Sequence, residues 1–282
     1  MSKHETYTIT PADVASIVTP ETRARIVRYM RDSVDRHYGN IIAETARFGA
    51  LSPIMRLRHA VVFSIVSPKC PIERNAAITP AIVRAVVDNH ASAAELLPLF
   101  AQYGVGLQNT KSARIAANAE YLRNVTTDTV DRDTLTKLSG ISLKTASMAT
   151  ALYDQDAEVY TLDTHMLRWL RDIANLPRET GTHNCTSRKL YTVLESFLID
   201  IARQHCADAP IFVTQWAIWN DCGFKGVHQC HLPIFGLVAG TPHYVIDIDT
   251  TEIVAEHDTE TDAMEYIAFH ENAENLYVST EY

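Results

Sequence analysis

The chain has 282 residues, 46% hydrophobic and 21% charged, enough for one large or two closely packed domains whose core needs no disulfide staples. No run of about 18 apolar residues occurs, which excludes a helical membrane span, and the start, Met1 to Pro20, lacks a signal-peptide pattern, so a cytoplasmic protein is expected. The formal charge of −9 weighs against nucleic-acid binding, but the stretch from Pro242 to Tyr282 is rich in acids and holds no Lys or Arg, so the remainder is nearly neutral and a local basic face is allowed.

Up to about residue 240 the periodicity is helical. Ala12 to Tyr38 carries apolar residues at helical spacing, with a new start at Pro20. Ile54 to Val66 is apolar enough for a buried core helix, and Ser67-Pro68-Lys69-Cys70-Pro71 then forces a turn. Further helices are expected over Pro80–His90, Ala93–Tyr103 and Lys111–Asn124, with Gly104 and Gly106 in the loop before the last. A short helix over Asp131–Leu138, Gly140, and a second helix over Lys144–Tyr153 follow. Asp163 or Thr164 caps a helix through Leu170, and Leu190–His205 and Phe212–Asp221 complete the helical part. In the acidic tail, Tyr244–Ile248 and Ile253–Glu256 alternate as a hairpin around Asp249-Thr250-Thr251. Asp262–His270 reads as a helix and Leu276–Ser279 as a last strand. The tail is either a solvated acidic appendage or a device that holds off nonspecific DNA or contacts a partner.

Two segments carry chemistry. In Leu138-Ser139-Gly140-Ile141-Ser142-Leu143-Lys144-Thr145-Ala146, one helix ends at Leu138 and Gly140 supplies the backbone freedom of a tight turn. Leu138 and Ile141 plug into the core. The next helix begins with its N–H groups outward, an arrangement that grips a phosphate without net positive charge. In Val159-Tyr160-Thr161-Leu162-Asp163-Thr164-His165-Met166-Leu167-Arg168, a strand-like apolar run meets an Asp at the positive end of a helix.

Together these resemble the helix-hairpin-helix DNA glycosylases, whose hairpin reads roughly L-P-G-V-G-x-K-T-A, with V-D-T-H-x-x-R about twenty residues on. Ser139 and Ser142 replace the family's Pro and second Gly, and the four close cysteines of its iron–sulfur branch are absent. The resemblance covers about residues 50 to 235. It implies a mainly α, two-lobed helical fold over residues 1–240, the hairpin at about 135–153, with an acidic α+β appendage over 241–282. It makes Asp163 the essential carboxylate and Lys144 a nucleophile able to form a Schiff base and cleave the strand. Asp163 also reads as a plain helix cap, and Lys144 as a DNA-positioning cation with water as the nucleophile. DNA contacts are expected from Gly140, Ser142, Thr145, His165, Arg168, Lys69 and Arg74. Asn75, Gln215, Trp216 and Trp219 would form the pocket for an extruded base; the Lys69–Asn75 stretch also reads as loop chemistry and a cap, and the tryptophan pair as a core face.

Cys222, His228, Cys230 and His231 match no standard zinc spacing, so no metal is expected there; the resemblance allows a monovalent cation at the hairpin. The partner implied is double-stranded DNA with a modified base, bound by a monomer. The Q-W-x-x-W helix resembles the alpha-glutamyl/putrescinyl-thymine pyrophosphorylase-like branch, tied to hypermodified phage DNA. The expected activity is excision of a modified base, such as glucosylated hydroxymethylcytosine, in antiphage defence. Alternatives are a transferase adding an amino acid or polyamine to pyrophosphorylated hydroxymethyluracil, and an inactive DNA-binding hairpin module.

Overall fold

The computed structural model describes residues 6–49, 51–126, 130–177, 182–223 and the strand segments 243–247, 253–257 and 276–279. In chain order the described elements are β1 (Thr6–Thr8), α1 (Pro11–Ile17), α2 (Pro20–Gly49), α3 (Pro53–Val66), α4 (Ile72–Val87), α5 (Ala93–Gln102), α6 (Gln108–Ala117) and α7 (Ala119–Asn124). Then come α8 (Arg132–Leu135), α9 (Leu143–Tyr153), α10 (Thr164–Ile173), β2 (Thr182–Asn184), α11 (Arg188–His205), α12 (Ile211–Gly223), β3 (His243–Asp247), β4 (Ile253–His257) and β5 (Leu276–Ser279).

Local chemistry sets most helix starts. Thr10 and Asp13 close a capping box on α1, Ser92 and Glu95 one on α5, and Ser52 caps α3 ahead of Pro53, each supplying partners for N–H groups that the helix itself leaves unpaired. Three expected helices change. The second runs to Gly49 rather than Tyr38, because Gly39 lies on an exposed stretch where its missing side chain costs no packing. The helix expected from Pro80 begins at Ile72. Its first turns are tied down by Asn75, whose amide donates to the Phe63 carbonyl at 3.0 Å, and by the Thr79 hydroxyl on the Asn75 carbonyl at 2.7 Å; Pro80 is carried inside at the loss of one backbone bond. The helix expected over Lys111–Asn124 is broken at Asn118, whose side chain pairs with both the N–H and the C=O of Ser139 at 2.9 Å.

The buried side chains form two clusters. One gathers α3, α4, α5, α6, α7 and α9 around residues such as Leu57, Phe63, Ile82 and Leu152. The other gathers α1, α10 and α11 with Tyr160 and Leu162. Helices α2 and α12 feed both: Val34 and Ile41 face the first cluster and Ile26 and Met30 the second, as do Val213 and Ala217 against Ile218. This is the expected two-lobed, mainly α architecture.

A two-stranded parallel sheet joins β1 to β2, with Tyr7 opposite His183. Three-residue strands carry too little alternation to be seen in the sequence. Beside them, Arg171 donates to Asp13 at 2.6 Å with both side chains buried, and its guanidinium lies 3.9 Å from the Tyr7 ring centroid. Burial would raise the Asp13 carboxyl, but hydrogen bonds from Thr10 and Tyr7 and the charge of Arg171 outweigh it and hold it below its usual value. Asp13→Ala is expected to cost about 3–5 kcal/mol, since it leaves Arg171 buried and unpaired. A depressed carboxyl stabilises fully above its unfolded value of about 3.9 and loses that contribution as pH falls through the folded value. Denaturant unfolding of wild type and variant should therefore differ most at pH 7, and the gap should narrow as pH falls below the unfolded value of about 3.9; a gap that stays equal on acidification would contradict this.

In the tail, β3 pairs antiparallel with β4, as the alternation predicts, and β5 adds to the other edge of β3. The helix expected over Asp262–His270 lies outside the described residues. No helix among the described residues is long and apolar enough to cross a membrane.

Candidate active site

The hairpin forms where the sequence places it. Gly140 adopts φ +80°, and a Cβ there would meet Arg114 Cδ at 2.4 Å, so glycine is required both for the backbone angle and for the close approach of Arg114. Ile141 is buried and Leu138 packs against the first core cluster. Ser142 caps α9, and Thr145 completes the box by accepting the Ser142 N–H at 2.6 Å. Thr145 is buried, so it braces the turn from within and does not face DNA as expected. The turn is also pinned from behind by Asn118.

Residues Val159–Leu162 belong to no helix or strand. Without a sheet neighbour, their buried backbone groups need side-chain partners. The Tyr160 N–H donates to Glu195 Oε1 at 3.0 Å, the Thr161 N–H to Gln215 Oε1 at 2.7 Å and the Leu162 N–H to the Tyr191 hydroxyl at 3.2 Å; that hydroxyl in turn donates to the Tyr160 carbonyl at 2.7 Å. Burial pushes the Tyr191 phenol up, which keeps it a donor, and Arg132 donates to Glu195. The segment is thus suspended between α11 and α12, and it delivers Asp163 to the start of α10.

Asp163 caps α10. Its Oδ1 accepts the N–H groups of His165 and Met166, both at 2.9 Å, and its Oδ2 accepts the indole N–H of Trp219 at 3.0 Å. One cavity of about 440 Å³ is lined by Asp163 and by Lys144 together with Lys69, Asn75, His165, Gln215, Trp216 and Trp219. Lys144 comes from α9, on the first core cluster, and Asp163 from the head of α10, on the second. The cavity therefore opens on the seam between the lobes.

The expected site residues divide on this geometry. Lys69 stands exposed at the rim with φ +54°. Arg74 is not on the cavity: its guanidinium donates to the Gly104 carbonyl at 2.7 Å and ties α4 to the neighbouring loop. Asn75 and Gln215 line the wall but are buried, and their amides are engaged by Phe63 and Thr161; they shape the pocket where base reading was expected. Arg168 lies outside the cavity lining; its charge acts on Cys222, whose thiol is pushed far up by burial first and by the Asp163 charge next. Cys222 ends the described part of its cluster, because His228, Cys230 and His231 lie outside it. Among the described residues no three ligating side chains could hold a metal.

No protein-family model and no curated protein matches the sequence. Solved structures do. The 8-oxoguanine DNA glycosylase of Thermotoga maritima aligns at a TM-score of 0.59 and 17% identity, over 72% of this chain and 98% of that one. The 8-oxoguanine DNA glycosylase of Methanocaldococcus jannaschii aligns at 0.56 and 16%, over 70% and 94%. A complex of the Methanocaldococcus jannaschii 8-oxoguanine glycosylase/lyase with a 15mer DNA containing 8-oxoguanine aligns at 0.56 and 17%, over 71% and 98%. The chain has the helix-hairpin-helix DNA glycosylase fold. At such low identity the likeness concerns the fold, and the site must be argued from its own residues.

Within that glycosylase fold several contributors to the site give no sign in the sequence. Met148, Phe63 and Thr161 line the cavity, yet each reads as ordinary core. Tyr191 and Glu195 carry no motif. Arg114 could have been suspected only from the geometry at Gly140. Leu107 is a different case: it lies outside the cavity lining and is 49% exposed with φ +61°, on the loop that Arg74 ties to α4 through Gly104. Its signal was the Gly-Val-Gly stretch before it, which marks a turn but not an exposed apolar tip.

Proposed function

We propose that this protein is a DNA glycosylase that extrudes a modified base into the seam cavity and breaks its N-glycosidic bond. The observation that carries the reading is that Lys144 and Asp163, delivered by separate elements of the two lobes, line one cavity walled by Trp216 and Trp219. The hairpin at Gly140 and the start of α9 would hold the phosphate backbone. The target base would stack against the Trp216 indole, and C1′ would lie between the amine and the carboxylate. As the bond to the base breaks, positive charge grows on the sugar, and the Asp163 carboxylate stabilises it. The Lys144 amine attacks C1′ while the bonding pair leaves with the base. Loss of a proton from nitrogen and opening of the sugar give a Schiff base, from which β-elimination cleaves the strand and water frees Lys144.

Extrusion leaves a gap in the duplex, which an apolar side chain can fill. Leu107 is the group we assign to it. Leu107→Ala is expected to slow base release from duplex DNA about tenfold and to leave a single-stranded or mismatched substrate nearly unaffected, because those need little unstacking. Equal slowing on both substrates would remove Leu107 from this role.

The cavity volume falls in the range of about 300–1,000 Å³ found for small-molecule sites, so it has room for a base enlarged by a sugar. Glucosylated hydroxymethylcytosine of phage DNA is the bulky candidate, and 8-oxoguanine is the candidate suggested by the neighbours in fold. Incubation with unmodified, 8-oxoguanine, glucosylated-cytosine and hypermodified-thymine DNA, with aldehyde probing of abasic sites and mass analysis of the freed base, tests the reading. Abasic sites in one DNA alone name the substrate. None in any would reject the glycosylase.

A further inference from the structure

Trp216 and Trp219 stand three residues apart on α12, both on the cavity wall, with ring centroids 5.4 Å apart and edge to face. Their N–H groups differ. The Trp216 indole N–H is buried without an acceptor, whereas the Trp219 indole N–H donates to Asp163 Oδ2. Asp163 Oδ1 is already fixed by two backbone N–H groups of α10. A helix cap of that kind secures one oxygen, and the terminal torsion of an aspartate is otherwise broad and two-fold. The Trp219 bond is therefore the contact that sets the plane of the carboxylate. It comes from a different helix, and Trp219 packs against both core clusters, so it stands on the seam the cavity occupies. The His165 ring meets Trp219 edge-on at 6.0 Å and limits its tilt.

We propose that Trp219 is a positioning residue: it acts through Asp163, locking the carboxylate in the orientation that faces the sugar, and is not primarily a stacking surface for the base. Its effect on rate rests on the glycosylase reading, but the bond itself does not. A hydrogen bond to a charged acceptor is about twice as strong as a neutral one, and catalytic groups need to be held within about 0.5 Å of the productive geometry. Loss of this donor should thus fall on the chemical step and spare DNA affinity.

The chain has three tryptophans, so an indole-¹⁵N-labelled sample gives three side-chain N–H signals, and Trp219→Phe assigns one of them. That signal is expected to move in Asp163→Ala. Trp219→Phe is expected to slow single-turnover base release on the order of 10²-fold with DNA Kd within twofold, and Trp219→His, which returns a ring N–H, should recover part of the rate. A Trp219 signal indifferent to Asp163→Ala would overturn the inference. So would a wild-type rate in Trp219→Phe, or a parallel fall in rate and DNA affinity, the mark of lost stacking. If the wild-type protein frees no base from any DNA, the glycosylase reading fails by itself, and the indole signal alone decides whether Trp219 holds Asp163.

Discussion

Asp163→Asn is expected to lower the rate of base release by at least about 10²–10³-fold, the scale associated with removing one preorganised electrostatic contact from a water-poor site, while DNA affinity stays within a few-fold. The substitution is conservative for the fold. Asparagine is as good a helix cap as aspartate, and its carbonyl oxygen can keep the bonds from His165 and Met166. What goes is the negative charge opposite the developing sugar cation. The amide nitrogen would also face the Trp219 N–H, a donor against a donor. Single-turnover base release and DNA anisotropy, measured on the same preparation, separate the two effects. Base release within tenfold of wild type would reduce Asp163 to a helix cap and sink the assigned chemistry.

Lys144→Ala should abolish covalent trapping of the protein on DNA by borohydride and, with it, strand cleavage. Only an amine can form the reducible Schiff base, and Lys144 is the cavity-lining lysine held on a helix; Lys69 sits on an exposed turn at the rim. Lys144 occupies the first turn of α9 and takes no part in its capping box, which Ser142 and Thr145 close by themselves, so the hairpin should survive the change. If base release persists without trapping, water is the nucleophile and Lys144 serves only the cleavage step. Trapping that persists in Lys144→Ala would move the amine elsewhere.

The central forty residues were the most legible part of the sequence. Gly140, Ile141 and Asp163 are placed as their local chemistry demands, because a tight turn, a core plug and a helix cap are properties of a few adjacent residues. The helix expected at Pro80 failed for the opposite reason. Tertiary bonds from Asn75 to Phe63 fix the start of α4 at Ile72, and a proline that signals a start in isolation is carried inside. Asn75 and Gln215 line the cavity as expected, but their amides are engaged by the protein's own backbone. A glutamine beside two tryptophans reads as a recognition group, yet Gln215 answers a demand that arises only in three dimensions, the unpaired backbone of Thr161. Tyr191 and Glu195 were invisible for the same reason, since the strand-like run they support has no strand beside it. The bond from Trp219 to Asp163 was equally hidden, because a sequence cannot show which carboxylate an indole N–H will reach.

The second core cluster is discontinuous along the chain: its members come from the first thirty residues and again from Tyr160 onward, with the first cluster's helices between. The pairing of Asp13 with Arg171 spans 158 residues. During synthesis at about 5–20 residues per second, the N-terminal strand and helix must wait roughly 8–30 s for their partners to be made. The interposed lobe is rich in neighbouring-helix contacts and can begin to order during that delay, whereas the outer lobe closes only across a long loop, the kind of contact that slows folding. Order of assembly thus follows from where the chain leaves and re-enters one core, and both clusters close only when α12 supplies Ala217 to one and Ile218 to the other.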